Sequence, residues 1–347
     1  MRYKCRDIFS CCKIVCKFAW CESARTNKVV SKAKLASAAM GKFKGYILAA
    51  FAAAAYGTNP AFAIPLYEAG MNPNSVLLFR YCIGIPVLAI LMAARGLDFK
   101  LKRSELTPVF ALGVLMALSS LTLFESYNHM NSGIASTLLF VYPVMVAVIM
   151  TFFFKESFKS SLVICFLFMG AGLMLLMRPD GSEGFNAYGF LLVMVSALTY
   201  AIYIVLVNGS KAVSKIPTTK LLFYVLIFGS SVFLFKIAVG TELTLPVRAS
   251  GWYNLVALAI IPTVLSLACT SAAIHIIGST PTAIFGALEP VTAVVLSVVF
   301  LGQPITAQEI AGGLLIVIAT TIVVTGNSVD SVILRVRKMF PRKSIKK

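Results

Sequence analysis

Charge is what this chain has least of. Only 13% of its 347 residues are charged, about half the share usual in a soluble globule. Acidic residues are scarcer than basic ones, 13 against 31, and histidine is nearly absent, with two. There is no HExxH helix, no GxSxG elbow and no glycine-rich phosphate loop. Metalloprotease, hydrolase and nucleotide-dependent chemistries therefore lack their residues. No cofactor or metal is expected, and the chain does not read as an enzyme. Paired CxxC spacing is missing as well. Five of the eight cysteines (Cys5, Cys11, Cys12, Cys16, Cys21) crowd the N-terminus without a histidine nearby, which argues against a zinc site there.

The net charge of +18 suggests a nucleic-acid partner until its placement is considered. Residues 1–44 carry 11 of the 31 basic residues, residues 335–347 carry 7, and most of the others sit in short breaks between apolar runs. That is the distribution of membrane topology, so no nucleic-acid partner is expected. Residues 1–43 read as a basic, cysteine-containing leader, disordered or interfacial, and a poor signal peptide because Lys13 and Lys17 interrupt its apolar run. A second reading is a start at Met40, before GKFKGYILAAF, which has the short basic lead of a first span. Residues 327–347 form a basic tail.

What the sequence has in abundance is apolar length: 59% of it is hydrophobic. Ten spans are expected near 44–66, 73–94, 106–128, 132–154, 160–178, 187–209, 219–239, 252–276, 279–301 and 307–326. Runs this long and continuous mean helices, since only helices and closed barrels satisfy their backbones in lipid. Lys and Arg then orient them. Arg95, Lys100, Lys102, Arg103, Lys155, Lys159, Lys211, Lys215 and Lys220 mark one side and only Arg178 and Arg248 the other. The expectation is a multi-pass protein of the cytoplasmic (inner) membrane with both termini inside. His129 and His275 then lie at opposite ends of their spans, roughly 30 Å apart, and cannot share a metal.

The chain also repeats itself. LLF at 77–79 returns at 221–223, and the same offset of 144 carries Gly45 to Gly189 and Tyr56 to Tyr200. YPVMVAVIMTFFFKE (142–156) aligns with EPVTAVVLSVVFLGQ (289–303), placing Pro143 on Pro290. Two halves of five spans each, 44–178 and 187–326, must enter the membrane in opposite senses. The fold class expected is an all-α membrane protein of ten helices in two inverted five-helix repeats. That architecture places a substrate site near the midplane.

ALEPVTAVVLSVVFLGQPIT and its counterpart VYPVMVAVIMTFFFKESF resemble the EamA-type branch of the drug/metabolite transporter superfamily, over roughly residues 42–326. The resemblance implies a central cavity and export or exchange of small metabolites or amphipathic compounds. Where the family tends to carry Glu before the proline in both repeats, this chain has Glu289 in one and Tyr142 in the other. Glu156 at the end of the fourth span is matched by Gln303.

Glu289 and Pro290 sit at the centre of the 23-residue run 279–301, so the carboxylate should lie near the midplane, where charge is costly. Pro290 has no N–H, which should free the Gly286 carbonyl. Glu289 reads as a proton or cation carrier or a substrate contact, and otherwise as a neutral buried acid bonded to a tyrosine. Asn59, Tyr142, Tyr200 and Tyr203 are candidates to ring a cavity, with cross-helix packing as the bland alternative. Pro143 and Pro290 are candidate hinges. Arg80 and Glu125 should reach similar depth and form a structural ion pair or outer gate. The partners expected are a small-molecule substrate, the lipid bilayer and, through Glu289, protons, and a homo-oligomer is compatible with the sequence. A channel without ion coupling is the rival reading, and a membrane scaffold a more distant one.

Overall fold

The computed structural model describes residues 42–153, 160–176, 186–210, 212–213, 215–277, 282 and 285–324. The leader, Glu156 and the tail lie outside them. In chain order the helices are α1 (Lys42–Glu68), α2 (Pro73–Ala94), α3 (Arg103–Ser126), α4 (Ser132–Phe153), α5 (Ser160–Leu176), α6 (Ala187–Gly209), α7 (Thr218–Ala238), α8 (Ala249–Ile277), α9 (Leu288–Val299) and α10 (Ala307–Val324). No strand occurs among the described residues. The chain is an all-helical membrane protein built from two inverted five-helix repeats, α1–α5 and α6–α10.

The helix ends follow local chemistry. Asn72, Asn131 and Asn186 cap α2, α4 and α6, each side-chain oxygen accepting from the backbone N–H two or three residues on. At the far ends of α2 and α7, Gly96 (φ 65°) and Gly240 (φ 115°) supply the left-handed residue that stops a helix. These two glycines are 144 positions apart, the offset of the sequence repeat.

Packing repeats the symmetry. α2 lies on α7, α4 on α9 and α5 on α10, each helix against its own repeat partner. Three further inter-repeat contacts come in matched pairs: α1–α8 with α6–α3, α2–α8 with α7–α3, and α1–α9 with α6–α4. Gly45 and Gly189 show the match at single residues. A Cβ on Gly45 would meet Ile277 of α8 at 2.5 Å, and one on Gly189 would meet Met130, just past the end of α3, at 3.2 Å. Between α3 and α7 the backbones nearly touch, with a Cβ on Gly113 falling 2.9 Å from the Gly229 nitrogen. Lipid gives no hydrophobic drive to helix association, so such close approach carries the packing energy. In α5 and α10, Gly172 approaches the Gly312 carbonyl and Gly313 approaches Thr137, while Gly170 faces open space. Large apolar side chains are exposed around the bundle, Phe153 (80%) and Phe235 (69%) among them, as a surface solvated by acyl chains requires.

Loops sort to two ends. At one, Asn72 donates to the Glu242 carbonyl (2.7 Å) and Asn131 to the Pro304 carbonyl (3.0 Å). At the other, Lys220 donates to the Lys100 carbonyl (2.7 Å), Arg95 to Thr219 (2.9 Å) and Tyr224 to the Phe99 carbonyl.

Two sequence expectations change. The ninth helix runs only over Leu288–Val299, 12 residues, because a turn at Gly286–Ala287 precedes it. Glu289 therefore lies in the first turn of a helix and not at the middle of a long one. The Gly286 carbonyl is not free either. It accepts the Glu289 N–H at 3.0 Å, a tight i→i+3 bond that closes the turn.

Candidate functional site

Three helices break where a proline follows. α1 is interrupted at Thr58, ahead of Asn59 and Pro60, and α4 at Phe140–Val141, ahead of Tyr142 and Pro143. The chain turns at Gly286–Ala287 ahead of Glu289 and Pro290. In each case the proline takes a first-turn position of the new helical segment, where its missing N–H would have no partner anyway. Pro143 and Pro290 thus start helices instead of kinking them midway. A fourth irregularity, a π-helical turn at Ile260–Leu265 containing Pro262, lies in α8. Such breaks put unpaired polar backbone and side chains at membrane depth, which is tolerated where they line a cavity or are buried in protein.

A narrow cavity lies among the helices of the first repeat and is closed by Tyr200 of the second. Tyr56, Asn59 and Arg80 line it from α1 and α2, Ser119, Ser120 and Phe124 from α3, and Tyr200 from α6. Tyr56 and Tyr200 are the pair related by the sequence repeat. Asn59 is 4% exposed and donates through Nδ2 to the Tyr56 carbonyl (2.8 Å), while its Oδ1 has no partner. Beside the cavity the tyrosines pack on one another. Tyr142 meets Tyr200 edge-on at 4.8 Å between centroids, and Tyr200 stacks on Tyr203 at 5.9 Å. Glu289 begins α9 beside α1, its backbone against Gly57, the residue after Tyr56. The structure therefore gathers Asn59, Tyr142, Tyr200, Tyr203 and Glu289, drawn from four helices, into one region. Around Glu289 the packing is close: a Cβ on Gly57 would fall 2.6 Å from the Glu289 carbonyl oxygen.

Arg80 and Glu125 do not pair. Arg80 is 6% exposed and donates through Nε to the Thr263 hydroxyl at 2.9 Å, and its guanidinium carbon lies 5.5 Å from the centre of the Phe124 ring. Glu125 faces His129, just past the end of α3, at 3.9 Å. Equal depth misled here, because Arg80 turns toward the π-helical turn of α8 while Glu125 stays at the end of α3. Gln303, the counterpart of Glu156, accepts from the Ser132 backbone N–H (3.1 Å) and hydroxyl (2.8 Å) and so braces the start of α4. Tyr56, Ser119, Ser120 and Phe124 of the cavity wall, and Thr263 beside it, escaped the sequence reading as site members. Tyr56 was visible as the repeat partner of Tyr200. Thr263, the hydroxyl that holds Arg80, left no signal beyond the neighbouring Pro262.

The arrangement is that of a small-molecule transporter: inverted repeats, broken helices and a polar-lined cavity where the repeats meet. Comparison with known proteins agrees. The EamA-like transporter family model matches twice, over residues 43–178 and 187–325. The chain belongs to the EamA-like transporter family. It is 24% identical over 303 residues to the uncharacterized transporter YdfC of Bacillus subtilis, covering 83% of this chain and 94% of that one. With YvbV of the same organism, also an uncharacterized transporter, it shares 27% over 295 residues, 82% of this chain and 92% of the relative. An uncharacterized transporter of Archaeoglobus fulgidus is 26% identical over 161 residues, and there the match spans 55% of the relative and 46% of this chain. A crystal structure of another protein, 19% identical, superposes with a TM-score of 0.58 over 86% of this chain and 99% of that one, showing the shared fold.

Proposed function

We propose that the protein is a secondary carrier that moves small metabolites or amphipathic compounds by alternating access through the cavity where its repeats meet. It works as an exporter or exchanger in the cytoplasmic membrane, with both termini inside, and Glu289 couples the cycle to protons. The observation that carries this reading is a polar-lined cavity of the first repeat that Tyr200 of the second repeat closes, with its repeat counterpart Tyr56 on the same space and the Glu289 backbone packed against neighbouring Gly57. Tyr142, the residue matching Glu289 in the first repeat, lies against Tyr200. One repeat thus supplies a group able to carry a proton and the other an aromatic hydroxyl that holds its proton at neutral pH.

The two orientations of such a carrier are made by rocking one repeat against the other. Loop contacts such as Asn72 with Glu242 join the repeats at one end, and contacts such as Lys220 with Lys100 join them at the other. Each set must open in turn. Reconstitution into proteoliposomes tests the carrier directly. Uptake should saturate and should be stimulated by unlabelled compound trapped inside, with amino acids, nucleosides and cationic dyes as the first panel. Flux linear in concentration and without counterflow would mark a channel and end the proposal.

A further inference from the structure

We infer that Arg80 is an anion anchor, and that the carrier's substrate bears a carboxylate with a hydrogen-bond donor close to it. This rests on the cavity being the transport site. Arg80 is almost fully buried, lines the cavity and has no carboxylate partner among the described residues. A lone cation at that depth costs at least about 2.5–3.5 kcal/mol. The contacts it does make offset only part of this. The bond to Thr263 is neutral at its acceptor, and a ring face near a guanidinium contributes about 0.5–2 kcal/mol. Both contacts also fix the guanidinium: Thr263 holds Nε and Phe124 lies 5.5 Å away, while no described residue bonds the two terminal nitrogens. Two parallel N–H groups with no protein acceptor are the geometry that a carboxylate takes bidentately.

Asn59 supplies the second half of the site. Its Oδ1 is a buried acceptor with no partner, on a wall of the same narrow cavity, and its Nδ2 is already committed to the Tyr56 carbonyl. A buried polar atom left unmatched costs about 1–3 kcal/mol. A ligand that gives Arg80 a carboxylate and Asn59 a hydroxyl or ammonium proton satisfies both at once. Ser119 and Ser120 also line the cavity, their hydroxyls already meeting Ser196 and Tyr81. A single negative charge matches a single guanidinium. A dianionic phosphate would bring a surplus charge into a region that already holds Glu289.

The test reads the cavity's charge without needing the natural substrate. In a background with the eight native cysteines replaced, Ser120→Cys places a thiol on the cavity wall, in full-length protein in proteoliposomes. Its conversion to a mixed disulfide, with release of methanesulfinate, by an anionic sulfonate-bearing methanethiosulfonate should be roughly tenfold faster than by a cationic ammonium-bearing one, as a focused positive site requires. Arg80→Gln should erase that preference and Arg80→Lys should keep most of it. 2-Hydroxypropanoate or alanine should slow the reaction, while lactamide and propylamine, which lack the carboxylate, should not. Disulfide formation without charge preference, or protection by the amide as strong as by the acid, overturns the anchor and leaves the transport cavity standing. A thiol that no reagent reaches overturns both.

Discussion

At the scale of single residues, the chemistry of the site was easier to read than its pairings. Glu289 stands out in any sequence reading because a carboxylate inside a long apolar run is costly. Asn59 and the tyrosines stand out for the same reason at lower cost. Which of them meet depends on rotations about helix axes that sequence spacing does not fix. Arg80 illustrates this: its depth matched Glu125, yet its side chain reaches Thr263 on α8. Gly57 could not have been singled out, since a glycine in a membrane helix is ordinary until the facing backbone is known. Its tight contact gives a prediction. Gly57→Ala should push α1 away from α9 beside Glu289, cost about 1–3 kcal/mol of stability and lower the thermal unfolding temperature in detergent. Gly170→Ala, which meets nothing within 4 Å, should leave that temperature nearly unchanged. Equal effects of the two would mean that α1 and α9 are not held this closely.

At the scale of elements, the number and order of spans were legible because the bilayer sets their length, and the asparagine caps and glycine stops marked several ends. The breaks were not. A proline in an apolar run predicts a lost hydrogen bond, but whether the helix kinks, continues or restarts is decided by neighbours such as the turn at Gly286–Ala287. The short α9 follows from that difference. Loop positions carry the topological prediction. With the native cysteines replaced, an impermeant thiol reagent added outside cells should label cysteines at Gly70, Asn128 and Glu242, all exposed at one end of the bundle. It should miss those at Lys102 and Lys215, exposed at the other. Labelling of Lys102→Cys from outside would reverse the proposed orientation.

At the scale of the whole molecule, two faint sequence offsets stood for a full structural duplication. The offsets of 144 and 147 reappear as matched helix contacts, matched glycine stops and a shared cavity. Symmetry of this kind survives loss of sequence similarity because it resides in which helices touch. Its imperfection matters as much: Tyr142 in one repeat stands where Glu289 stands in the other, so one half carries the ionisable group. The central claim is that this single carboxylate joins the proton gradient to movement of the substrate. The measurement closest to it compares the parent and Glu289→Gln in proteoliposomes, using the first panel compound that the parent exchanges. Glutamine keeps the size and hydrogen-bonding capacity of the acid but holds no proton to release. The variant should lose accumulation driven by a pH gradient while exchange of substrate for substrate continues near the parent rate. Accumulation against a gradient as strong in the variant as in the parent would contradict the account and leave Glu289 as a packing acid.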